Sequence, residues 1–501
     1  MNPFEPLTPD EIARATHAVR PRLTDAARFS TVTLDEPPKD LLDRVRMARL
    51  VIVPGPTLSV IEASVRLDTA EIVSWVERDG VRPALGFEES FNAVLALHAH
   101  DGFKAALARR GITDMDKVQI DPWPTGNFGI AIEDNRRVAR CISYVRDNPT
   151  DNGYGRPIEG LIAFVDMARG EVLEIVDLGI YPIPEDPGSY YPEHNLPHRT
   201  DLKPVEITQP QGPSFTVDGS LLQWQKWSLR ASMDPLEGLV LHQISYDGRS
   251  IMHRASISEM VVPYGDPSPM HNWKNAFDAG EWGLGRMSNS LTNGCDCLGE
   301  IRYLDWHYAD EHGNPTKTEN AICIHEEDYG ILWKHVDLHG GRTEGRRQRR
   351  LVVSFIATVG NYEYGFYWYF YLDGSIQLEV KLTGIMSTRA LDAGERSPNA
   401  PVIAPGLAAP VHQHLFCARL DLDIDGAVNE VHEVNIGPTA TTETNPLGNA
   451  FEPTVTRLES EAAAQRNVDA ARSRTWKIVN NASRNAIGEP VGYKLIPGST
   501  P

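Results

Sequence analysis

Cysteine is rare in this sequence, five among 501 residues, too few for a disulfide scaffold though enough for one or two bridges. Long apolar runs are missing as well. No stretch reaches the roughly 18 residues that a membrane-spanning helix needs. The N-terminal MNPFEPLTPDEIARATHAV lacks the basic-then-apolar pattern of a secretory leader, so the expectation is a cytoplasmic protein, with the peroxisome as the alternative. Positive charge is in the minority, 48 Lys and Arg against 68 Asp and Glu, a formal −20. Most of the surface would therefore repel a phosphate backbone, which argues against nucleic acid as a partner. Neither a fixed-period repeat nor a low-complexity tract occurs. What is present suits a packed core, with 41% apolar and 23% charged residues, and the length suggests roughly three domains.

Thr8-Pro9-Asp10-Glu11 is a capping box with proline at the first helical position and predicts a helix through about Arg20. RFSTVTL (28–34), ARLVIVP (48–54), LSVIEASVRLD and AEIVSWVE follow as strands, so residues 1–85 read as a small α/β domain. Residues 86–200 read as a second one. Its FEESFNAVLALHAHDGFKAALARRG (87–111) has helical spacing and stops at Gly111, and KVQIDPWP, CISYVRD and LIAFVDMARGEVLEIVDLG read as strands. Residues 181–213 are Pro-rich and read as an extended connection. From 201 to 501 short alternating strands dominate, with Asp247-Gly248 and Asp373-Gly374 marking hairpin turns. That pattern predicts a large antiparallel β-sandwich after the two small domains, an α+β chain overall. The Arg-rich GRTEGRRQRR (341–350) reads as a solvated hairpin end.

His412-Gln413-His414 carries the first chemical signal. Side chains two apart on a strand share a face. The same parity continues through Phe416, Ala418, Leu420, Leu422 and Ile424, while Arg419, Asp421, Asp423 and Asp425 take the other. Both imidazoles are thus expected on the buried face. Two neutral imidazoles converging from one strand suit copper, zinc or iron; a pair of satisfied core histidines is the other reading of these residues.

Thr358-Val359-Gly360-Asn361-Tyr362-Glu363-Tyr364 resembles the cofactor motif of the copper amine oxidases, T-x-x-N-Y-D/E, with the histidine pair about fifty residues further on. TQPQGPSFTV, VVPYGDPSPMHNWKNAFDAGEWGLG, NGCDCLGEIRYLD, AICIHEEDYGILWKH and HQHLFCARLDLDIDG are similar to the family too, in the family's order. The resemblance implies a homodimeric primary-amine oxidase that uses O2 to convert amines to aldehyde, NH3 and H2O2 through a topaquinone Schiff base. It assigns Tyr362 as the tyrosine that becomes topaquinone beside Cu2+, Asn361 as the residue orienting the quinone ring, and Tyr264 as its hydrogen-bond partner. Asp278 falls on the catalytic base, buried against Phe277 and Trp282 so that desolvation would raise its pKa. His412 and His414 fall on copper ligands. Cys297 and Cys323 match a bridging pair, and Cys295 a cysteine that stays free. Asp421, the Leu422 carbonyl and Asp423 match a peripheral Ca2+ or Mn2+ site, oxygen donors that suit hard cations. Phe91, Trp123 and Tyr154 fall where relatives line the amine channel.

Two departures stand out. Ala276 occupies a position where some relatives place an aromatic gate, which leaves room for small aliphatic or arylalkyl amines. The family holds copper with three histidines, the third far C-terminal to the pair, whereas the last histidine here is His432 and the sequence closes at Tyr493-Lys494-Leu495-Ile496-Pro497 and a few further residues. The resemblance therefore implies either a C-terminal part beyond the printed chain or a lost copper site. Two other readings compete: an inactive fragment or non-catalytic descendant of this family, and a cupin-type mononuclear iron oxygenase using His412, His414 and a carboxylate.

Overall fold

In a computed structural model of the chain, residues 2–126, 128–191 and 199–498 are described. Helix α1 (Pro9–Val19) starts where the capping box predicts. The Thr8 hydroxyl accepts the Glu11 N–H at 3.2 Å, and the Glu11 carboxylate accepts the Thr8 N–H at 3.0 Å. Its Ile12, Ala15 and Val19 pack in one cluster with residues of β1 (Arg28–Leu34), β2 (Met47–Val53) and β3 (Ser59–Arg66). With β4 (Ile72–Asp79) these strands form an antiparallel sheet in chain order.

The expected single helix 87–111 is two, α2 (Phe87–Ala99) and α3 (Asp101–Ala108). His100 breaks it: its backbone is extended, and its Nδ1 accepts the Phe103 N–H at 3.2 Å, capping α3. A side-chain acceptor thus outcompetes helical continuation. Strands β5 (Val118–Pro124), β6 (Val138–Val145), β7 (Leu161–Asp166) and β8 (Glu171–Asp177) form the second antiparallel sheet. Every residue of β6 and β7 is buried, because both faces are covered. Leu97, Phe103 and Leu107 pack in the cluster of one face. Met270, Trp273, Trp123 and Tyr154 pack in that of the other.

The remainder is antiparallel β structure. Strands β9 (Phe215–Asp218), β10 (Leu221–Trp224), β11 (Trp227–Asp234), β12 (Gly238–Tyr246), β13 (Arg249–Pro263) and β14 (Asn275–Phe277) run in sequence across one sheet. The turn between β12 and β13 has φ above zero at both Asp247 and Gly248, as an Asp-Gly hairpin requires. A five-stranded sheet follows: β15 (Arg302–Ala309), β16 (Pro315–Asp337), β17 (Arg342–Val359), β18 (Tyr362–Tyr371) and β19 (Ile376–Gly384). Short strands β20 (Arg389–Ala390), β21 (Val402–Ala404) and β22 (Leu407–Ala408) make a small sheet. Strand β23 (Leu415–Leu422) then pairs with β13. Strands β24 (Glu430–Pro438), β25 (Phe451–Leu458), β26 (Thr475–Arg484) and β27 (Pro490–Leu495) form the last sheet.

The sheets approach closely. Gly238 opens β12 at φ +74°, and a Cβ there would lie 2.2 Å from the Phe355 ring on β17. Phe366 on β18 stacks on Phe355 at 4.9 Å and meets Phe416 on β23 edge-on at 6.1 Å. The expected alternation along 412–424 is only partly kept. His412, His414 and Phe416 are more sheltered than their neighbours but half-buried, and Ala418 is exposed. The reason is that β23 pairs with β13 alone among the described strands.

The chain divides into two compact units, residues 1–214, 232–240 and 256–418, and residues 215–231, 241–255 and 419–501. The Pro-rich connection forms no helix or strand over 181–191 and 199–213, and its residues 192–198 lie outside the described residues. Arg346, Arg347 and Arg349 of the Arg-rich stretch are exposed on β17. Among the described residues no helix is long and apolar enough to cross a membrane.

Candidate active site

Strands β17 and β18 are joined by a two-residue turn, with Val359 paired to Tyr362. Gly360 carries φ +61° and Asn361 a negative φ, the pattern of a II′ hairpin turn. Asn361 is buried and donates from Nδ2 to the Ile385 carbonyl at 2.6 Å, fastening the turn. Tyr362 is thereby the first residue of β18 and shares a face with Tyr364.

That face meets the histidine pair with matching period. Tyr362 Oη lies 2.9 Å from His412 Nε2, and Tyr364 Oη lies 3.1 Å from His414 Nδ1. His412 Nδ1 donates to the Pro410 carbonyl at 2.8 Å, since a carbonyl only accepts; in the neutral ring, Nε2 keeps a lone pair towards Tyr362. Burial and the neighbouring His412 push the His414 pKa down to about 4, so this ring is neutral near pH 7. The two rings sit 4.9 Å apart, centroid to centroid. Imidazole nitrogens beside a phenol oxygen fit copper in kind. Among the described residues no group of three or more His, Cys, Asp or Glu converges on a metal position.

Tyr264 follows β13 and places its hydroxyl 3.1 Å from Tyr362 Oη, with its ring stacked on His412 at 4.9 Å. Lys274 Nζ, buried and without a hydrogen-bond partner among the described residues, lies 5.6 Å from the centre of the Tyr264 ring and 4.9 Å from that of Trp123. Burial pushes its pKa down to about 8 against the pull of Glu159, Asp121 and Asp266.

Asp278 opens a π-type turn, residues 278–282, closed by the Gly283 N–H donating to the Asp278 carbonyl at 3.0 Å. Its carboxylate is 4% exposed and accepts from Tyr364 Oη at 3.3 Å. Burial first, and then the carboxylate of Glu281, push its pKa up to about 8. The sequence reading expected Phe277 to help bury Asp278; instead Phe277 is 40% exposed, because strand alternation turns it away.

A cavity of about 220 Å³ brings Tyr362, Asn361, Tyr264 and Asp278 together with Trp123, Tyr154 and Ala276. Asp121, Trp282 and Met287 also line it. Phe91 does not; its ring is 62% exposed on α2. The sequence reading missed Tyr364, although its place two residues after Tyr362 on a strand puts it on the same face. It also missed Lys274 and Asp121, which no short motif marks.

Cys297 and Cys323 carry free thiols, so the bridge implied by the resemblance is not formed in this structure. Contact with the Cys323 thiol holds the Cys297 pKa below the usual range, and Tyr303 Oη lies 3.2 Å from Cys297 Sγ. Cys295 is exposed and free. Asp421 and Asp423 are half-buried, and the Asp423 carboxylate accepts from Ser250 Oγ at 2.9 Å.

Comparison with known proteins gives a consistent result. Residues 216–501 match the copper amine oxidase enzyme domain, and residues 89–193 the copper amine oxidase N3 domain. The chain is 46% identical to the primary amine oxidase of Arthrobacter sp. (strain P1), over 99% of its own length and 78% of that protein's. It is 46% identical to the histamine oxidase of Arthrobacter globiformis, over 100% and 75% of the two chains. The crystal structure of a copper-containing benzylamine oxidase from Hansenula polymorpha superposes with a TM-score of 0.91 at 29% identity, covering 100% of this chain and 83% of that one.

Proposed function

Because the chain belongs to the copper amine oxidase family, enzymes that oxidise primary amines with copper and topaquinone, we propose that Tyr362 is the quinone precursor, Asp278 the catalytic base and His412 with His414 two of the copper ligands. The single observation carrying this reading is the position of Tyr362. Its hydroxyl lies within hydrogen-bond distance of His412 Nε2 and Tyr264 Oη, in a cavity that also contains Asp278. Copper bound by His412 and His414, with the quinone derived from Tyr362, would supply two-electron redox chemistry between the amine and O2.

The remaining work belongs to the chain. Apolar walls from Trp123, Val262, Ala276, Trp282 and Met287 hold the amine's carbon skeleton and exclude water. Asp278 removes the proton from the carbon bearing the nitrogen, and a pKa near 8 makes it a strong base that is still partly ionised at neutral pH. Tyr264 donates to the oxygen on the Tyr362 ring, and Asn361 holds the turn that orients that ring. Small Ala276 leaves space for arylalkyl side chains, in keeping with relatives named for histamine and benzylamine.

Two parts of the reading are finer. We assign the long β16–β17 hairpin as a docking arm for a second copy of the chain; its Ile331, Trp333 and Leu338 are exposed by 64%, 49% and 89%. Asp421, the Leu422 carbonyl and Asp423 are assigned as oxygen donors for Ca2+ or Mn2+, on donor chemistry alone. The test of the central claim is Tyr362→Phe in the copper-loaded enzyme. Labelling by a carbonyl reagent and amine turnover should both disappear while the fold persists, since only a hydroxyl is removed. Full activity in that variant would end the assignment.

A further inference from the structure

We propose that Glu259 is a positioning residue for the base: its carboxylate occupies the backbone donors that would otherwise bind Asp278. The inference rests on the reading of Asp278 as the base and goes beyond it. An aspartate at the head of a turn ordinarily accepts the N–H two residues on. Each such bond stabilises the ionised carboxylate and makes it a weaker base. For Asp278 that donor is Gly280, and it is already taken. The Gly280 N–H lies 3.3 Å from Glu259 Oε1 and 3.2 Å from Oε2, and the Ala279 N–H donates to Oε1 at 3.0 Å. On the other side of Asp278, the Phe277 N–H donates to Glu281 Oε2 at 2.8 Å.

Two carboxylates thus clamp the backbone on both sides of a third. What is left for Asp278, among the hydrogen bonds of the described residues, is the phenol of Tyr364 at 3.3 Å. The groups that face it electrostatically are Glu259 from β13, Glu281 from its own turn, Tyr362 and Tyr364 from β18, and Tyr264 beyond the end of β13. Glycine at 280 is part of the device. A Cβ there would lie 2.8 Å from Glu259 Oε2, so any side chain would push the clamping carboxylate off its donors.

The experiment measures kcat/KM for a primary amine against pH in copper-loaded enzyme, corrected for quinone content by carbonyl-reagent titration. Glu259→Ala frees the Gly280 N–H, and Gly280→Ala displaces the Glu259 carboxylate while leaving that residue in place. In both, the acid limb of the profile should move down by about one pH unit or more. Glu259→Gln keeps an acceptor oxygen and should move it less. An acid limb unmoved in both alanine variants at normal quinone content overturns the proposal, whatever the loss in rate. Asp278→Asn separates the two ideas. Normal proton abstraction in that variant removes the base assignment itself, whereas a stalled Asp278→Asn with an unmoved limb in the alanine variants removes only the role of Glu259.

Discussion

Asp278 combines near-complete burial with a hydrogen bond from Tyr364 alone among those described, and its pKa of about 8 follows from that poverty of partners. Replacing it with asparagine should leave quinone formation intact and lower amine turnover by at least the roughly 10²–10⁴-fold typical of a lost general base; single-turnover kinetics of α-proton abstraction check this. The same group makes a stability prediction. Its folded pKa lies above that of an unfolded carboxyl, so between the two values the folded chain binds the proton more tightly. The penalty is absent below the unfolded value and complete once pH exceeds about 8. In metal-free protein, Asp278→Asn should therefore gain Tm relative to the parent as pH rises from about 5 to 9. A Tm difference independent of pH would show that the carboxyl is not desolvated.

Strand β18 presents Tyr362, Tyr364 and Phe366 on one face, and these meet His412, His414 and Phe416 in the same order. Two strand-like segments with a period of two can match residue for residue only if their sheets are packed in a fixed relation. Gly238 guards that packing, because β12 passes closer to Phe355 than a side chain would allow. Gly238→Ala combines a clash against a rigid ring with an unfavourable φ of +74°. It should destabilise the protein by about 2–4 kcal/mol, read from chemical denaturation. A loss under about 0.5 kcal/mol would mean that the two sheets are free to separate.

For the whole molecule, the β16–β17 hairpin is the feature that a lone chain does not explain. On the proposed pairing, the exposed apolar residues gathered on this hairpin would form an interaction surface, and a symmetric pair would bury those of both copies. Sedimentation velocity of the parent should give a dimer at micromolar concentration. The double change Ile331→Ser and Trp333→Ser should shift it towards monomer with the cavity residues untouched. A monomeric parent would remove the docking-arm assignment.

Local patterns were legible in the residues themselves. The Thr8 capping box, the Asp247-Gly248 hairpin and the strand runs depend on interactions within a few positions, and they formed as their chemistry dictates. The motif around Tyr362 and the histidine pair were readable as well, because resemblance preserves spacing along the chain. His100 broke a helix whose periodicity ran through it by an equally local interaction, its Nδ1 meeting the Phe103 N–H three residues on. Other features were decided only by the tertiary structure. Phe91 turned to solvent and Phe277 away from Asp278, directions that spacing does not encode. Lys274 and Glu259 became neighbours of the site through segments far from Tyr362 in sequence, and packing alone brought Tyr364, already on the Tyr362 face by strand spacing, to His414 and Asp278. Chain-local energies determine elements, whereas a site assembled across two sheets is set by which faces pack, and that is known only once they have packed.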